Sequence, residues 1–145
     1  MTNELTMRPA RTDDASDLVR FWSRAGENDS RPADTEDAVL RLLDRDPEAL
    51  VVAERAGRIV GSLIVGWDGW RFHLYRLAVD PAERRSGVAR ALIASAEQRA
   101  REVGAGRIDA MVLEGNRHGA AFWAAAGFRP QDEWRRWVRT APYEG

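Results

Sequence analysis

The chain contains no cysteine and no lysine among its 145 residues. Without cysteine it has no disulfide, no thiolate metal site and no covalent cysteine nucleophile. Without lysine it has no residue that forms a Schiff base, and all 22 basic residues are arginine. Only His73 and His118 supply an imidazole, so we expect no histidine-based metal site and no resident metal.

The chain also lacks an excess of charge of one sign and long apolar runs. Its net charge is −1, so we expect neither nucleic acid nor an anionic membrane as a partner. No apolar run approaches the roughly 18 residues of a membrane span, and no signal peptide opens the sequence. We therefore expect a cytoplasmic protein with one domain over residues 1–145 and a core over about 5–139.

Hydrophobic periodicity predicts a chain of mixed strands and helices without repeats or linkers. Tight turns join the strands before the long helix, which favours antiparallel pairing there, whereas the crossover through that helix favours a parallel pair. The predicted elements are a strand at 5–8, a helix capped by Thr12 or Asp13, a helix beginning at Thr35, a hairpin of strands 50–54 and 59–67, a strand at 72–79, a helix at 88–103, a strand at 107–113, a helix at 119–126 and a strand at 133–139.

A loop of small and basic residues separates the strand at 72–79 from the long helix. Its sequence is Arg84-Arg85-Ser86-Gly87-Val88-Ala89. Such a loop points several backbone N–H groups in one direction at the helix N-terminus, where the helix dipole adds partial positive charge. The loop is either an anion site, best suited to a pyrophosphate, or a solvated turn.

Two segments of the chain resemble the GCN5-related N-acetyltransferase (GNAT) superfamily. Leu77-Ala78-Val79-Asp80-Pro81 precedes Arg84-x-x-Gly87-x-Ala89, which is similar to the family pattern R/Q-x-x-G-x-G/A. Asn116, Ala121-Phe122-Trp123 and Gly127-Phe128 resemble its N…A-x-F-Y…G-F segment. The resemblance implies an α/β (α+β) three-layer fold, in which about four helices flank a central mixed, mostly antiparallel sheet with a splayed parallel strand pair.

The resemblance also implies a set of residues that bind acetyl-CoA. The pantetheine arm would pair with the strand edge at the splay, and the pyrophosphate would sit on the loop amides from Arg85 to Ala89. Gly87 lacks a Cβ and so allows close approach. The residues that this resemblance assigns to acetyl-CoA are Leu77, Ala78, Val79, Arg84, Arg85, Ser86, Gly87, Val88, Ala89, Asn116, Phe122 and Trp123.

The resemblance further implies which residues act on the reacting groups. An amine attacks a thioester carbonyl, which an N–H of Ala78 or Val79 would polarise. His73 and Tyr75 occupy strand positions where the family often has a base, and simple alternation puts them on the face of Leu77 and Val79. His73 is either this base or a histidine packed in a hydrogen-bonded site.

Trp123 stands where many family members have a tyrosine that protonates the leaving thiolate. Indole donates a hydrogen bond but releases no proton at useful pH. Trp123 would therefore steady the sulfur, while solvent, Tyr75 or Tyr143 supplies the proton.

The remaining tryptophans and acidic residues bear on the acceptor. Trp22 lies on an apolar helix stripe and is expected in the core, whereas Trp134 and Trp137 fall on opposite faces of the predicted last strand, so at most one is core. Trp67 and Trp70 flank the turn before the strand at 72–79, where they would form an aromatic acceptor pocket. The acidic groups near this region, which are either acceptor ligands or solvated charges, are Asp68, Glu114 and those of segment 27–37.

Three classes of function follow from the sequence. The first is an acetyl-CoA-dependent N-acetyltransferase that acetylates a primary amine of a small molecule or a protein by direct attack in a ternary complex, as a monomer or homodimer. The second is a catalytically weak acyl-CoA-binding sensor or interaction module. The third, a nucleotide-phosphate-binding domain, has the least support because the chain lacks both a Walker-type lysine and G-x-G-x-x-G.

Overall fold

The computed structural model describes residues 3–26, 32–113 and 115–143, in two compact units, 1–111 and 112–145. The strands are β1 (Thr6–Pro9), β2 (Leu50–Arg55), β3 (Arg58–Trp67), β4 (Phe72–Val79) and β5 (Ile108–Ala110). The α-helices of the described residues are α1 (Ala15–Ala25), α2 (Glu36–Arg45), α3 (Val88–Val103) and α4 (Arg117–Ala125).

The first unit contains one sheet with the strand order β1-β2-β3-β4-β5. Neighbours from β1 to β4 are antiparallel, whereas β4 and β5 are parallel. The β2–β3 turn has positive φ at both Ala56 and Gly57, the geometry of a tight hairpin. The predicted mixed, mostly antiparallel sheet is thereby confirmed.

Helices cover both faces of this sheet. On one face, Leu18, Phe21 and Trp22 of α1 join α2 residues in a core that includes Ile64 of β3 and Ala78 of β4. On the other face α3 packs closely against β3, because a Cβ at Gly61 would lie 2.6 Å from Val88 Cγ1. The expected core position of Trp22 is confirmed.

A bulge interrupts β4 at Arg76. Tyr75 pairs with Ile64 and Ala78 pairs with Ser62, so two β4 residues stand opposite one residue of β3. Arg76 has a φ of 57°, in the left-handed region. The extra residue reverses the alternation of faces, so Tyr75 shares the α1–α2 face with Ala78.

This bulge makes the expectation of simple alternation in β4 wrong. Paired residues of adjacent strands point to the same side of a sheet, and Val79 pairs with Gly61, which faces α3. His73 and Tyr75 therefore lie on the face opposite to Val79. The sequence of β4 gives no sign of this change, because arginine is an ordinary strand residue and rarely adopts positive φ.

The parallel pair separates early. β5 pairs with β4 only from Phe72 to Leu74, and its own last strand residue is Ala110. β4 continues to Val79, so residues 75–79 extend beyond the strand pair. The predicted strand at 107–113 is thus confirmed in its centre but is shorter than expected.

The second unit contains α4 and an irregular segment. The Asn116 side chain caps α4 by accepting a hydrogen bond of 2.9 Å from the Gly119 N–H. The Trp123 ring packs edge-on against Phe128, with ring centres 4.9 Å apart. The predicted helix at 119–126 is present with a start two residues earlier.

The predicted strand at 133–139 is wrong. This segment forms a turn and irregular backbone, and Trp134 and Trp137 are 71% and 93% exposed. Neither tryptophan is therefore a core residue. The physical reason is that a strand needs a hydrogen-bonding neighbour, and this stretch does not alternate apolar with polar residues to give one buried face.

The described residues contain neither a membrane-spanning helix nor a metal-ligand cluster. None of the helices there is long and apolar enough to cross a membrane. In the same residues no group of three or more histidine, cysteine or acidic side chains is arranged to hold a metal ion.

Candidate active site

The loop before α3 has the backbone geometry of an anion site. Arg85 and Gly87 have φ of 65° and 88°, and α3 begins directly after Gly87. The N–H groups of the first helical turn have no acceptor within the helix, so they are available to a ligand. Apart from Gly87 and its neighbours in the chain, no atom lies within 4 Å of the point where a Gly87 Cβ would stand, and Arg84 and Arg85 are exposed.

Contacts within the chain hold this loop in place. The Asp80 side chain accepts a hydrogen bond of 3.0 Å from the Ala82 N–H. Glu83 forms an ion pair with Arg55 at 3.1 Å and accepts a hydrogen bond of 3.2 Å from the Ser86 hydroxyl. The Ser86 N–H also donates to the Glu83 carbonyl, so Ser86 stabilises the turn with both of its donors. The loop amides that remain for an anion are those of Arg85, Gly87, Val88 and Ala89.

The free edge of β4 leads directly into this loop. Beyond Leu74, β4 has lost its β5 partner, and within the described residues its ladder continues only with β3. Leu77 and Val79 are half-buried there, and Ala78 is buried. Residues 75–79 thus present backbone hydrogen-bonding groups, and the loop before α3 begins at Arg84, five residues after Val79.

His73 is the middle one of the three β4 residues that pair with β5. Its direct neighbour on β5 is Asp109, and His73 Nδ1 lies 4.0 Å from Asp109 Oδ2. The imidazole is 42% exposed, so it is open to a ligand. The sequence predicted His73 as a candidate base, whereas its carboxylate neighbour depends on strand register and was missed.

Tyr75 follows on the same face of β4. Partial burial raises the pKa of its hydroxyl above the ordinary value of 10.0. The phenol therefore stays protonated at neutral pH and has a hydrogen that it can donate.

A cavity of about 330 Å³ lies beside the start of β4 and β5. Trp70, which is 85% exposed, lines it together with Asp109. Its other lining residues are Arg71, Phe72, Gly106 and Arg107. The cavity offers an aromatic surface, a carboxylate and arginine side chains to a small polar molecule.

The Asp68 side chain stabilises the turn that contains Trp70. Its carboxylate accepts hydrogen bonds of 2.8 and 2.7 Å from the N–H groups of Trp70 and Arg71. These backbone hydrogen bonds lower the pKa of the Asp68 carboxyl. Among the other acidic residues considered for the acceptor, Glu114 and those in 27–31 lie outside the described residues.

A polar network beneath the β4 bulge was missed by sequence reasoning. The Trp22 indole N–H donates a hydrogen bond of 2.8 Å to Ser62 Oγ, and the Ser62 hydroxyl donates one of 3.2 Å to the Arg76 carbonyl oxygen. The Arg76 guanidinium lies 5.1 Å from the centre of the Trp22 ring and forms an ion pair with Asp34. Ser62, a lone hydroxyl in an apolar strand, was the signal that could have revealed it.

The family-like residues of the second unit form a cluster of their own. Trp123 is buried, Phe122 is half-buried, and their ring centres are 5.6 Å apart. The Asn116 side chain has the capping role described above, and Tyr143 is 72% exposed.

Comparison with known proteins shows the family of this chain. The acetyltransferase (GNAT) family profile matches residues 13–128. An acetyltransferase of Sodalis glossinidius is 37% identical over 113 residues, which are 77% of this chain and 78% of the relative.

Solved structures show the same fold. Ard1 of Thermoplasma volcanium superposes with a TM-score of 0.75 at 24% identity, covering 86% of this chain and 82% of that one. The structure of yncA from Salmonella typhimurium, solved with its cofactor acetyl-CoA, gives 0.73 at 20% identity, covering 88% and 80%. From the extent of the profile match and the identity to the Sodalis relative, the chain belongs to the acetyltransferase (GNAT) family.

Proposed function

We propose that the protein is an acetyl-CoA-dependent N-acetyltransferase that acetylates a primary amine of a small molecule or a protein by direct attack in a ternary complex. The observation that carries this proposal is the continuity of the free β4 edge with the loop before α3. An extended arm with amide groups and a pyrophosphate at its end needs these two features, in this order, along one surface.

The chain's own residues fit acetyl-CoA. The β4 edge at 75–79 offers backbone groups to the amides of the pantetheine arm, as an added strand would use them. The amides of Arg85, Gly87, Val88 and Ala89 would hold the pyrophosphate, and the open space at Gly87 would admit it. Arg84 and Arg85 supply compensating charge. Asn116, Phe122 and Trp123 remain proposed contacts on the basis of the family resemblance.

Bound acetyl-CoA would supply the acetyl thioester, and residues of β4 would polarise its carbonyl and accept the proton of the amine. The Ala78 or Val79 N–H polarises the carbonyl, and His73 accepts the proton that the attacking amine loses. The C–N bond forms as the C–S bond breaks, and solvent or Tyr75 protonates the leaving thiolate. Trp123 steadies the sulfur by a hydrogen bond or packing.

The cavity beside Trp70 is the proposed place of the acceptor. Its aromatic surface suits the apolar part of an amine. Since the family match extends over parts of both units, we propose that residues 1–145 act as one N-acetyltransferase domain.

One observation favours a second candidate, an acyl-CoA-binding sensor. Trp123 occupies the place of a proton-donating tyrosine, and its ring is packed between Phe122 and Phe128. A chain that binds acyl-CoA without releasing CoA would fit this second function.

Release of free CoA thiol separates the two candidates. The protein is incubated with acetyl-CoA and a panel of primary amines that includes small aromatic amines and peptides. The proposal expects CoA release that depends on one amine class, with initial-rate lines that intersect when both substrates are varied. Parallel lines, or acetylated protein after incubation with acetyl-CoA alone, would contradict direct transfer. Acetyl-CoA binding without release for any amine would favour the sensor.

A further inference from the structure

We infer that Asp109 is a positioning residue for His73, fixing which imidazole nitrogen carries the proton. This inference rests on the proposed function, in which His73 is the base. The two residues are direct neighbours in the parallel ladder, and their side chains share a face of the sheet. Because Asp109 Oδ2 lies 4.0 Å from His73 Nδ1, a small side-chain rotation forms the hydrogen bond.

Arg107 holds the Asp109 carboxylate in place from the outer side. Arg107 Nε lies 2.7 Å from Asp109 Oδ1, and Arg107 Nη2 lies 3.2 Å from Oδ2. This two-bond contact fixes the plane of the carboxylate, which leaves Oδ2 facing the imidazole. Asp109 is 27% exposed and His73 is 42% exposed, so both groups adjoin solvent, and Asp109 also lines the neighbouring cavity.

The arrangement assigns distinct tasks to the two imidazole nitrogens. A carboxylate accepts hydrogen bonds only, so the nitrogen facing Asp109 keeps its hydrogen, and this nitrogen is Nδ1. The lone pair is then on Nε2, which takes the amine proton. Asp68 also acts electrostatically on His73, but its carboxylate is engaged with the Trp70 and Arg71 N–H groups.

Nitrogen-15 NMR of the imidazoles tests this assignment without any need for turnover. The chain has only His73 and His118, so His118 is an internal reference. In the unmodified protein above pH 8 we expect His73 as the Nδ1–H tautomer. In Asp109→Ala we expect a shift towards the Nε2–H tautomer, with His118 unchanged. An Nε2–H tautomer in the unmodified protein, or the same His73 spectrum in Asp109→Ala, would overturn the inference.

Steady-state kinetics then test the consequence for the reaction. Asp109→Ala should lower kcat roughly tenfold to a hundredfold, the effect of one lost charge-assisted hydrogen bond, with the KM for acetyl-CoA unchanged. In a His73→Ala background the same substitution should have no further effect. An equal loss of kcat in both backgrounds would assign Asp109 a role independent of His73.

The experiment also needs a matched control variant and a measurement of CoA release by the unmodified protein. Asp17→Ala removes the carboxylate of another aspartate–arginine pair, with Arg20 on the exposed face of α1, and should leave kcat unchanged. If the unmodified protein releases no CoA with any amine, the proposed function has failed. The NMR result still decides whether Asp109 sets the tautomer of His73.

Discussion

At the scale of single residues, His73 is partly exposed and lies on β4, whose residues 75–79 extend beyond its pairing with β5. If it takes the amine proton, His73→Ala should lower kcat/KM by roughly 10²-fold or more and change the pH dependence of the rate. Acetyl-CoA affinity should change little, because its proposed arm contacts are backbone groups of β4. The measurement is a pH–rate series with one good acceptor.

The matched variant for this test is His118→Ala, which removes the other imidazole from the second unit. It should leave the pH dependence of the rate unchanged. A fully active His73→Ala enzyme with an unchanged pH profile would contradict the base assignment.

Which residues the sequence could identify follows from how local their signal is. The loop motif at 84–89 and His73 on its strand depend on neighbours within a few positions, so the sequence alone could propose them as candidates. Asp109 becomes a partner of His73 only through the register of a parallel pair that is joined by a whole helix. No short-range pattern contains that register.

At the scale of elements, the β4 bulge depends on a buried hydroxyl. Ser62 is fully buried and connects the Trp22 indole to the Arg76 carbonyl. Ser62→Ala would leave that indole N–H without this acceptor, so we expect about 1–3 kcal/mol of lost unfolding free energy. Urea unfolding checks this, with the exposed Ser23→Ala of α1 as the control. An unchanged midpoint in Ser62→Ala would contradict a structural role for the network.

The ion pair between Arg8 and Asp14 at the start of α1 predicts that the free energy of unfolding depends on pH. Arg8 donates two hydrogen bonds to the buried Asp14 carboxylate, at 2.8 and 3.0 Å, and this contact holds the Asp14 pKa below its ordinary value. A group whose pKa is lowered by folding stabilises the fold above its unfolded pKa, and this contribution disappears as pH falls through the folded value.

Asp14→Asn should therefore cost roughly 1–3 kcal/mol of unfolding free energy at pH 7 and progressively less below about pH 4. Urea unfolding of both proteins at pH 7 and pH 3 measures the difference. Asp17→Asn, from an exposed pair, should change stability by no more than about 1 kcal/mol. A deficit in Asp14→Asn that is equal at both pH values would contradict the account.

The elements also show why sequence prediction succeeded in some places and failed in others. The antiparallel pairs β2–β3 and β3–β4 follow from turn signals and alternation, which are local. The bulge does not, since the left-handed Arg76 is stabilised by Ser62, Trp22 and Asp34 from elsewhere in the chain. The last predicted strand failed because strand-forming residues such as Trp134 and Trp137 still need a neighbouring strand.

At the scale of the whole molecule, the fold and the family were readable because two motifs stand in the right order at the right separation. The family profile confirms that reading over residues 13–128. The acceptor site could not be predicted in this way, because the proposed cavity combines residues from the β3–β4 turn with residues near β5. Its shape arises from strand pairing and from no contiguous motif.

The central claim is that acetyl-CoA binds at the loop before α3, and thermal unfolding with and without acetyl-CoA tests it most directly. Gly87→Val is compared with Gly57→Val, since both glycines have positive φ and open space at the Cβ position, but Gly57 lies in the β2–β3 turn. Each substitution should lower the Tm of the ligand-free protein, because valine is strained at positive φ.

At a ligand concentration of a hundred times Kd, acetyl-CoA should stabilise the unmodified protein by about 2.7 kcal/mol, or roughly 5–10 °C in Tm. Gly57→Val should keep this shift in full, and Gly87→Val should lose it while remaining folded. A full acetyl-CoA shift in folded Gly87→Val, or no shift in the unmodified protein, would contradict the account.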